Sequence, residues 1–182
     1  IKRMLAYSTI AHVGFILLGF SAGTAAGRQA ALFYTLVYAV MAAAAFGLVI
    51  LMSRRGFEAD ELDDFKGLNQ RSPWFAAMML FVMASMIGIP PFVGFFAKLN
   101  VLAALIDAGQ TWLAVVAVLF SVVGAYYYLR VIRLMYFDEP THKSPLNTSI
   151  DLRLLLSANA LVVLLLGVFT EPLLLLCAAA IS

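Results

Sequence analysis

Five long stretches of this chain carry no ionic side chain, and that property limits what it can fold into more than any other. There is no Asp, Glu, Lys or Arg between Met4 and Gly27, Ala30 and Met52, Trp74 and Ala97, Thr111 and Leu129, or Leu154 and Thr170. About 20 apolar residues in a helix cross the ~30 Å hydrocarbon layer of a bilayer. Lipid offers no hydrogen-bond partners, so the backbone must satisfy itself, which helices do. The expected class is therefore all-α integral membrane: a polytopic helix bundle of about five transmembrane spans. We place them at residues 4–25, 30–52, 74–106, 111–137 and 152–176, in a single membrane domain over residues 1–182. Composition agrees, with 64% hydrophobic and 12% charged residues. Soluble domains are nearer half apolar and a quarter charged, so little of this chain is left for a large soluble unit.

The chain opens on Ile1, with Lys2 and Arg3 directly against an apolar run, as expected of a piece whose amino-terminal part is missing. That first run has no small-residue cleavage site of the kind that ends a signal peptide. The sole cysteine, Cys177, lies in an apolar tail and is expected to act as a small hydrophobe. Orientation follows from the cations. With alternating spans, Lys2, Arg3, Arg54, Arg55, Lys66, Arg71, Arg130, Arg133, Lys143 and Arg153 fall on one face and Arg28 on the other. The positive-inside rule places the first face in the cytoplasm and the carboxy terminus outside, on the periplasmic side of a bacterial inner membrane.

The third stretch is too long for one straight helix and is interrupted at Gly88-Ile89-Pro90-Pro91. Neither proline has an N–H to give the helix ladder, and each ring clashes with the preceding turn. Broken backbone at membrane depth has to be covered by protein or line a hydrated cavity, and discontinuous helices of this kind surround ion sites in transporters. Gly88 and Gly94 flank the prolines as structural residues of the break. Lys98 follows about two turns later, among Phe95, Phe96, Leu99 and Val101. A charge there is costly unless it faces the bundle interior or water. An amine whose charge its surroundings can tune is a suitable proton relay, and Lys98 is our first candidate. The alternatives are a lysine that snorkels to the interface or pairs statically with a carboxylate.

His12, in the middle of the first stretch, is a second candidate relay because imidazole titrates near neutrality; a hydrogen-bonded packing role is the other reading. Tyr34 and Tyr38 are spaced i, i+4 and share a helix face. They would either contact a water chain or pack, with their hydroxyls on backbone carbonyls. Gly14, Gly19 and Gly124 suit close helix approach. The run Tyr126-Tyr127-Tyr128-Leu129-Arg130 reads as an interfacial aromatic belt with a snorkelling arginine. Glu58, Asp60, Glu61, Asp63 and Asp64 form a solvated loop face or a short surface helix, since no coordinating loop pattern accompanies them. No phosphate loop, dinucleotide fingerprint or cysteine cluster is present. We therefore expect no cofactor and no metal in this chain, and no nucleic-acid partner.

Three stretches together resemble one family. Lys2-Arg3-Met-Leu-Ala-Tyr7-Ser8-Thr9-Ile-Ala-His12-Val-Gly14 is similar to the "KRLLAYSSIAHxG" stretch of the antiporter-like subunits of respiratory complex I, in the form found in the subunit N branch. Gly88-Ile-Pro90-Pro91-Phe-Val-Gly94-Phe-Phe-Ala-Lys98 resembles their "GIPPxxGFxxK" broken-helix motif, and Tyr126-Tyr-Tyr-Leu-Arg130 through Tyr136-Phe137 resembles "YYYLRVxxxMYF". The loop Leu62–Leu68, with Arg71-Ser72-Pro73, matches in style. The resemblance covers almost the whole chain and implies the carboxy-terminal helices of a longer subunit. The family's broken-helix lysine carries over onto Lys98. Where the related subunit L has two histidines and a lysine, this chain has Tyr34, Tyr38 and Ala42.

The function so implied is proton translocation coupled to electron transfer from NADH to quinone. The redox chemistry, with NADH, flavin, iron–sulfur clusters and quinone, would lie on or between other subunits. Partners would be the other membrane subunits of complex I, the lipid bilayer, and protons and water. The alternatives are the large subunit of a multi-subunit cation/proton antiporter, a membrane-bound hydrogenase subunit, and a scaffold whose lysine is only structural.

Overall fold

The computed structural model describes residues 1–53, 61–140 and 150–181. Arg54, Arg55, Glu58, Asp60 and Lys143, which entered the charge reading above, lie outside the described residues. Helices α1 (Lys2–Ser21), α2 (Ala25–Met52), α3 (Leu68–Arg71), α4 (Pro73–Ile87), α5 (Val93–Asp107), α6 (Thr111–Phe137), α7 (Ile150–Val168) and α8 (Glu171–Ala179) follow in order, with a 3-10 turn at Leu62–Phe65. Among the described residues there is no strand, and four helices, α1, α2, α6 and α7, are long and apolar enough to cross a membrane.

The punctuation sets the helix ends. Gly23, at φ 69°, turns the chain between α1 and α2. Thr24 then caps α2 by accepting the Gly27 N–H at 3.0 Å, the usual role of a hydroxyl at that position. That cap starts α2 at Ala25, earlier than apolarity alone indicates. Gly19 and Gly27 let the two helices close on each other: a Cβ on Gly19 would lie 3.0 Å from Ala31 Cβ, and one on Gly27 would strike the Gly19 carbonyl. Gly14 and Gly124 make no such approach among the described residues, since none lies within 4 Å of a Cβ built on either. Pro73 opens α4 in its first turn, where its missing N–H costs nothing.

The last apolar stretch differs from the single span expected over 152–176. It is two helices, α7 ending at Val168 and α8 starting at Glu171. The reason is Pro172, which has no N–H for the Val168 carbonyl one turn back. Of the acidic loop, the described part is that one 3-10 turn, closed by a reciprocal Glu61–Asp64 capping box.

Helix α2 is the hub. Its buried face, from Ala30 through Tyr34, Val37, Met41, Ala45 and Leu48, faces a core built with α4 and α5. Elsewhere large apolar side chains point outward, among them Ile10, Leu17, Phe120, Val122 and Leu155, each more than 60% exposed. Such an exterior is the reverse of a water-soluble bundle and suits hydrocarbon.

Candidate functional site

Two half-helices meet at the interruption, and their ends define the site. Gly88, at φ 91°, stops α4 in the left-handed conformation that helix ends use. Its N–H reaches Ala84 O and Ser85 O, and the Ile89 N–H reaches Ala84 O. In a continuous helix the next two carbonyls, Met86 O and Ile87 O, would receive the N–H groups of residues 90 and 91. Both are prolines. The double proline thus leaves two adjacent carbonyls without donors, and Lys98 supplies the replacement. Its Nζ donates to Met86 O at 3.1 Å and to Ile87 O at 2.8 Å.

A third bond from Lys98 Nζ goes to Ser121 Oγ on α6, at 2.7 Å. The Phe15 ring centroid is 5.4 Å from the same nitrogen, within cation–π range. All three hydrogen-bond partners are neutral oxygens. The charge is therefore held by the negative end of the α4 dipole, and among the described residues no carboxylate bonds it. Static pairing with an acid, one of the alternatives weighed from sequence, would need such a partner.

The prolines and glycines have distinct places here. Pro90 and Pro91 are exposed, while the polar ends that they create turn inward. Gly94 is buried, and a Cβ on it would run into the Ser85 carbonyl. Its N–H donates to Ser85 Oγ at 3.0 Å, and that hydroxyl donates onward to Met41 Sδ at 3.0 Å. Phe92, the residue before α5, offers no capping side chain, so Ser85 caps α5 from across the break. Gly94 and Lys98 are spaced i, i+4, hence one turn apart on one face, and both contact the last turn of α4. Gly167 of α7 abuts the far side, where a Cβ would strike the Pro91 carbonyl. We expect Gly88→Ala to destabilise the subunit by about 1–3 kcal/mol, the usual cost of forcing a non-glycine residue into strained backbone. Its Cβ would also sit 3.1 Å from Lys98 Cδ. A thermal unfolding scan of the purified subunit checks this, and an unchanged midpoint would count against the strained geometry.

His12 is 3% exposed and fully engaged. Its Nδ1 is 2.9 Å from Tyr34 Oη, its Nε2 is 3.2 Å from Tyr128 Oη, and Tyr38 stacks on the ring at 4.6 Å. The structure thus brings His12, Tyr34 and Tyr38 together. The tyrosine hydroxyls reach side chains and not backbone carbonyls: Tyr34 bonds His12, and Tyr38 donates to Thr9 Oγ1 at 2.7 Å. Tyr128 also bonds Ser8. Each hydroxyl can donate or accept, so Ser8, Tyr128, His12 and Tyr34 form a continuous chain of exchangeable protons.

A cavity of about 1240 Å³ between α1, α5 and α6 joins the two groups, with Ser8, His12, Lys98, Ser121 and Tyr128 all in its wall. Sequence reasoning left out Ser121, Tyr128, Ser85, Ser8 and Phe15. The first two had a signal. Ala114, Ala117, Ser121, Gly124, Tyr128, Val131 and Met135 recur at three- and four-residue steps, the inward stripe of α6. Of the three consecutive tyrosines, Tyr126 and Tyr127 are exposed as a belt should be, and Tyr128 alone is buried.

Known proteins share the sequence and the fold of this chain. A relative from Thioalkalivibrio sulfidiphilus, NADH-quinone oxidoreductase subunit N, is 60% identical over 182 residues, which is all of this chain and 38% of that protein. The chain therefore spans well under half the length of such relatives. Among solved structures, respiratory complex I from Thermus thermophilus with bound aureothin contains a chain 30% identical to this one, with a TM-score of 0.83, covering 96% of this chain and 39% of that one. The Mrp complex from Dietzia sp. contains another, 26% identical with a TM-score of 0.86, covering 97% of this chain and 41% of that one. The family model for the transmembrane part of NADH:quinone oxidoreductase and Mrp antiporter subunits matches residues 1–124, and the chain belongs to that family.

Proposed function

We propose that this chain is the carboxy-terminal part of a proton-translocating membrane subunit of NADH:quinone oxidoreductase, of the subunit N type. The observation that carries the reading is the Lys98 ammonium, held on two proline-freed carbonyls inside an apolar bundle and facing a cavity that also holds His12. A charge held by helix-end carbonyls and a hydroxyl can be given up and regained as neighbouring charges change. Lys98 takes a proton from the cytoplasmic side or from a polar path along the membrane arm and releases it outward. The chain's part is electrostatic and conformational, and the redox centres belong to other subunits. Its partners are the neighbouring membrane subunits. The cation-rich loops lie in the cytoplasm and the carboxy terminus lies at the periplasmic face of a bacterial inner membrane, by the charge distribution along the sequence. A proton-pumping assay on assembled complex carrying Lys98→Met tests the reading: lost pumping supports it and unchanged pumping rejects it.

His12 joins the path through its hydroxyl partners. His12→Ala in the complete subunit is expected to lower pumping several-fold, short of the effect at Lys98, because water entering the vacated space restores part of the chain. Quinone-linked acidification of sealed vesicles measures it, and pumping equal to the parent's removes His12 from the path. A cation/proton antiporter of the multi-subunit type is the second reading, favoured by the fold match to the Mrp chain. The higher identity to subunit N over the full chain favours the first. Sodium-driven proton exchange by the isolated subunit would reverse that choice.

A further inference from the structure

We propose that Ser121 is the residue through which Lys98 exchanges its proton, acting as acceptor while the amine is charged and as donor while it is neutral. The proposal rests on the relay reading of Lys98. An ammonium has three N–H groups and no lone pair, and here each N–H has one oxygen: Met86 O, Ile87 O and Ser121 Oγ. The charged state is fully satisfied. A neutral amine has two N–H groups and one lone pair. Two N–H groups still serve the two carbonyls, and the lone pair then needs a donor. Carbonyl oxygens cannot donate. The Ser121 hydroxyl is the one partner of the three able to reverse its role.

The same asymmetry fixes the route. The N–H groups directed at Met86 O and Ile87 O meet amide oxygens, which accept but carry no proton of their own to pass on. The third meets a hydroxyl that lies, with Lys98 itself, in the wall of the cavity shared with His12 and Tyr128. In the release step the Nζ–H bond facing Ser121 breaks and an Oγ–H bond forms, while the proton that Oγ carried before passes to a water molecule in the cavity. The hydroxyl ends turned toward Nζ, donating to the lone pair just created. Uptake is the reverse. One proton leaves the amine, one reaches the cavity, and Ser121 is unchanged.

The experiment uses assembled complex in sealed native vesicles carrying Ser121→Ala, Ser121→Thr or Lys98→Met, with assembly checked on native gels. Ser121→Ala removes only the hydroxyl, at a half-buried site, so the helix keeps its shape. We expect pumping to fall about tenfold, less than the roughly hundredfold or more that a positioned proton-transfer group usually contributes, because a cavity water partly substitutes. The pH profile of pumping should shift as well, and Ser121→Thr, which restores a hydroxyl, should recover most of the rate and the original profile. Equal losses in the Ala and Thr variants, with the pH profile unmoved, would reduce Ser121 to packing and overturn the proposal. Parent-like pumping in Ser121→Ala beside lost pumping in Lys98→Met would overturn it too, while leaving the relay reading intact. Parent-like pumping in Lys98→Met would remove both.

Discussion

Lys98→Met, in complete and assembled complex, is expected to abolish proton pumping while leaving the membrane arm in place. Methionine nearly matches lysine in length and fills the same space beside Phe15, so packing changes little. Two terms bear on stability and they oppose each other. The Met86 and Ile87 carbonyls lose their donor, at about 1–3 kcal/mol for each buried group left unsatisfied, although cavity water can reach that end of α4. Against that, the cost of keeping a charge inside the bundle disappears. The two nearly cancel, so assembly should survive. Transport does not survive, because the ionisable side chain that bonds the two freed carbonyls is gone. Electron transfer from NADH to quinone is expected to fall with pumping where the two are tightly coupled, or to persist without pumping where they are not.

Lys98→Arg sharpens the test. Arginine keeps the positive charge and can still bond both carbonyls, but it does not release a proton in a protein. A lysine with a purely structural role should tolerate arginine and suffer from methionine, with the defect showing in assembly. A lysine that must lose its proton should fail with either substitution, in complex that assembles normally. Normal pumping by the arginine variant would reject the relay while sparing the architecture.

Why Lys98 could be singled out in advance, and why its partners could not, comes down to the range of each signal. The break was legible because a proline acts on the carbonyl four residues before it, a local rule that names Met86 and Ile87 as the carbonyls left without donors. A lysine two turns downstream in an apolar run is equally visible. The contacts from Lys98 to Ser121 and from His12 to Tyr128 are between residues far apart in the chain. They depend on how α6 is rotated against α1 and α5. The inward stripe of α6 was present in the sequence, but lipid-facing and core-facing positions are both apolar in a membrane helix. Hydrophobic contrast, which marks the buried face of a soluble helix, was therefore too weak to separate Tyr128 from its two neighbours. The division of the last stretch was missed for a different reason. Thr170-Glu171-Pro172 interrupts the apolar run, but the apolar residues on either side read as one span across it. Pro172 nonetheless has no N–H for the Val168 carbonyl and so ends α7.

Gly94→Ala is the second substitution expected to have a large effect, through geometry and not charge. A Cβ at this position meets the backbone carbonyl of Ser85, which cannot rotate away as a side chain would. To make room, the first turn of α5 has to retreat from the last turn of α4. That retreat breaks the Gly94 N–H to Ser85 Oγ bond and exposes an N–H at the start of a helix that has no cap of its own. Overpacking of this kind costs about 1–3 kcal/mol and the lost hydrogen bond about 0.5–1.5 kcal/mol, so a total of about 1.5–4.5 kcal/mol is expected. Because Lys98 lies one turn beyond Gly94 on the same face, the shift also draws its amine away from Met86 O and Ile87 O. Both stability and pumping should therefore fall. Gly47→Ala is the matched control: a Cβ there also meets a neighbour, but that neighbour is the tip of the Leu156 side chain, which can swing aside. Thermal unfolding of the two variants, beside pumping in vesicles, separates the cases. A loss no larger at Gly94 than at Gly47 would mean that the half-helices are not held at the close approach described here, and that Lys98 reaches its carbonyls without that clasp.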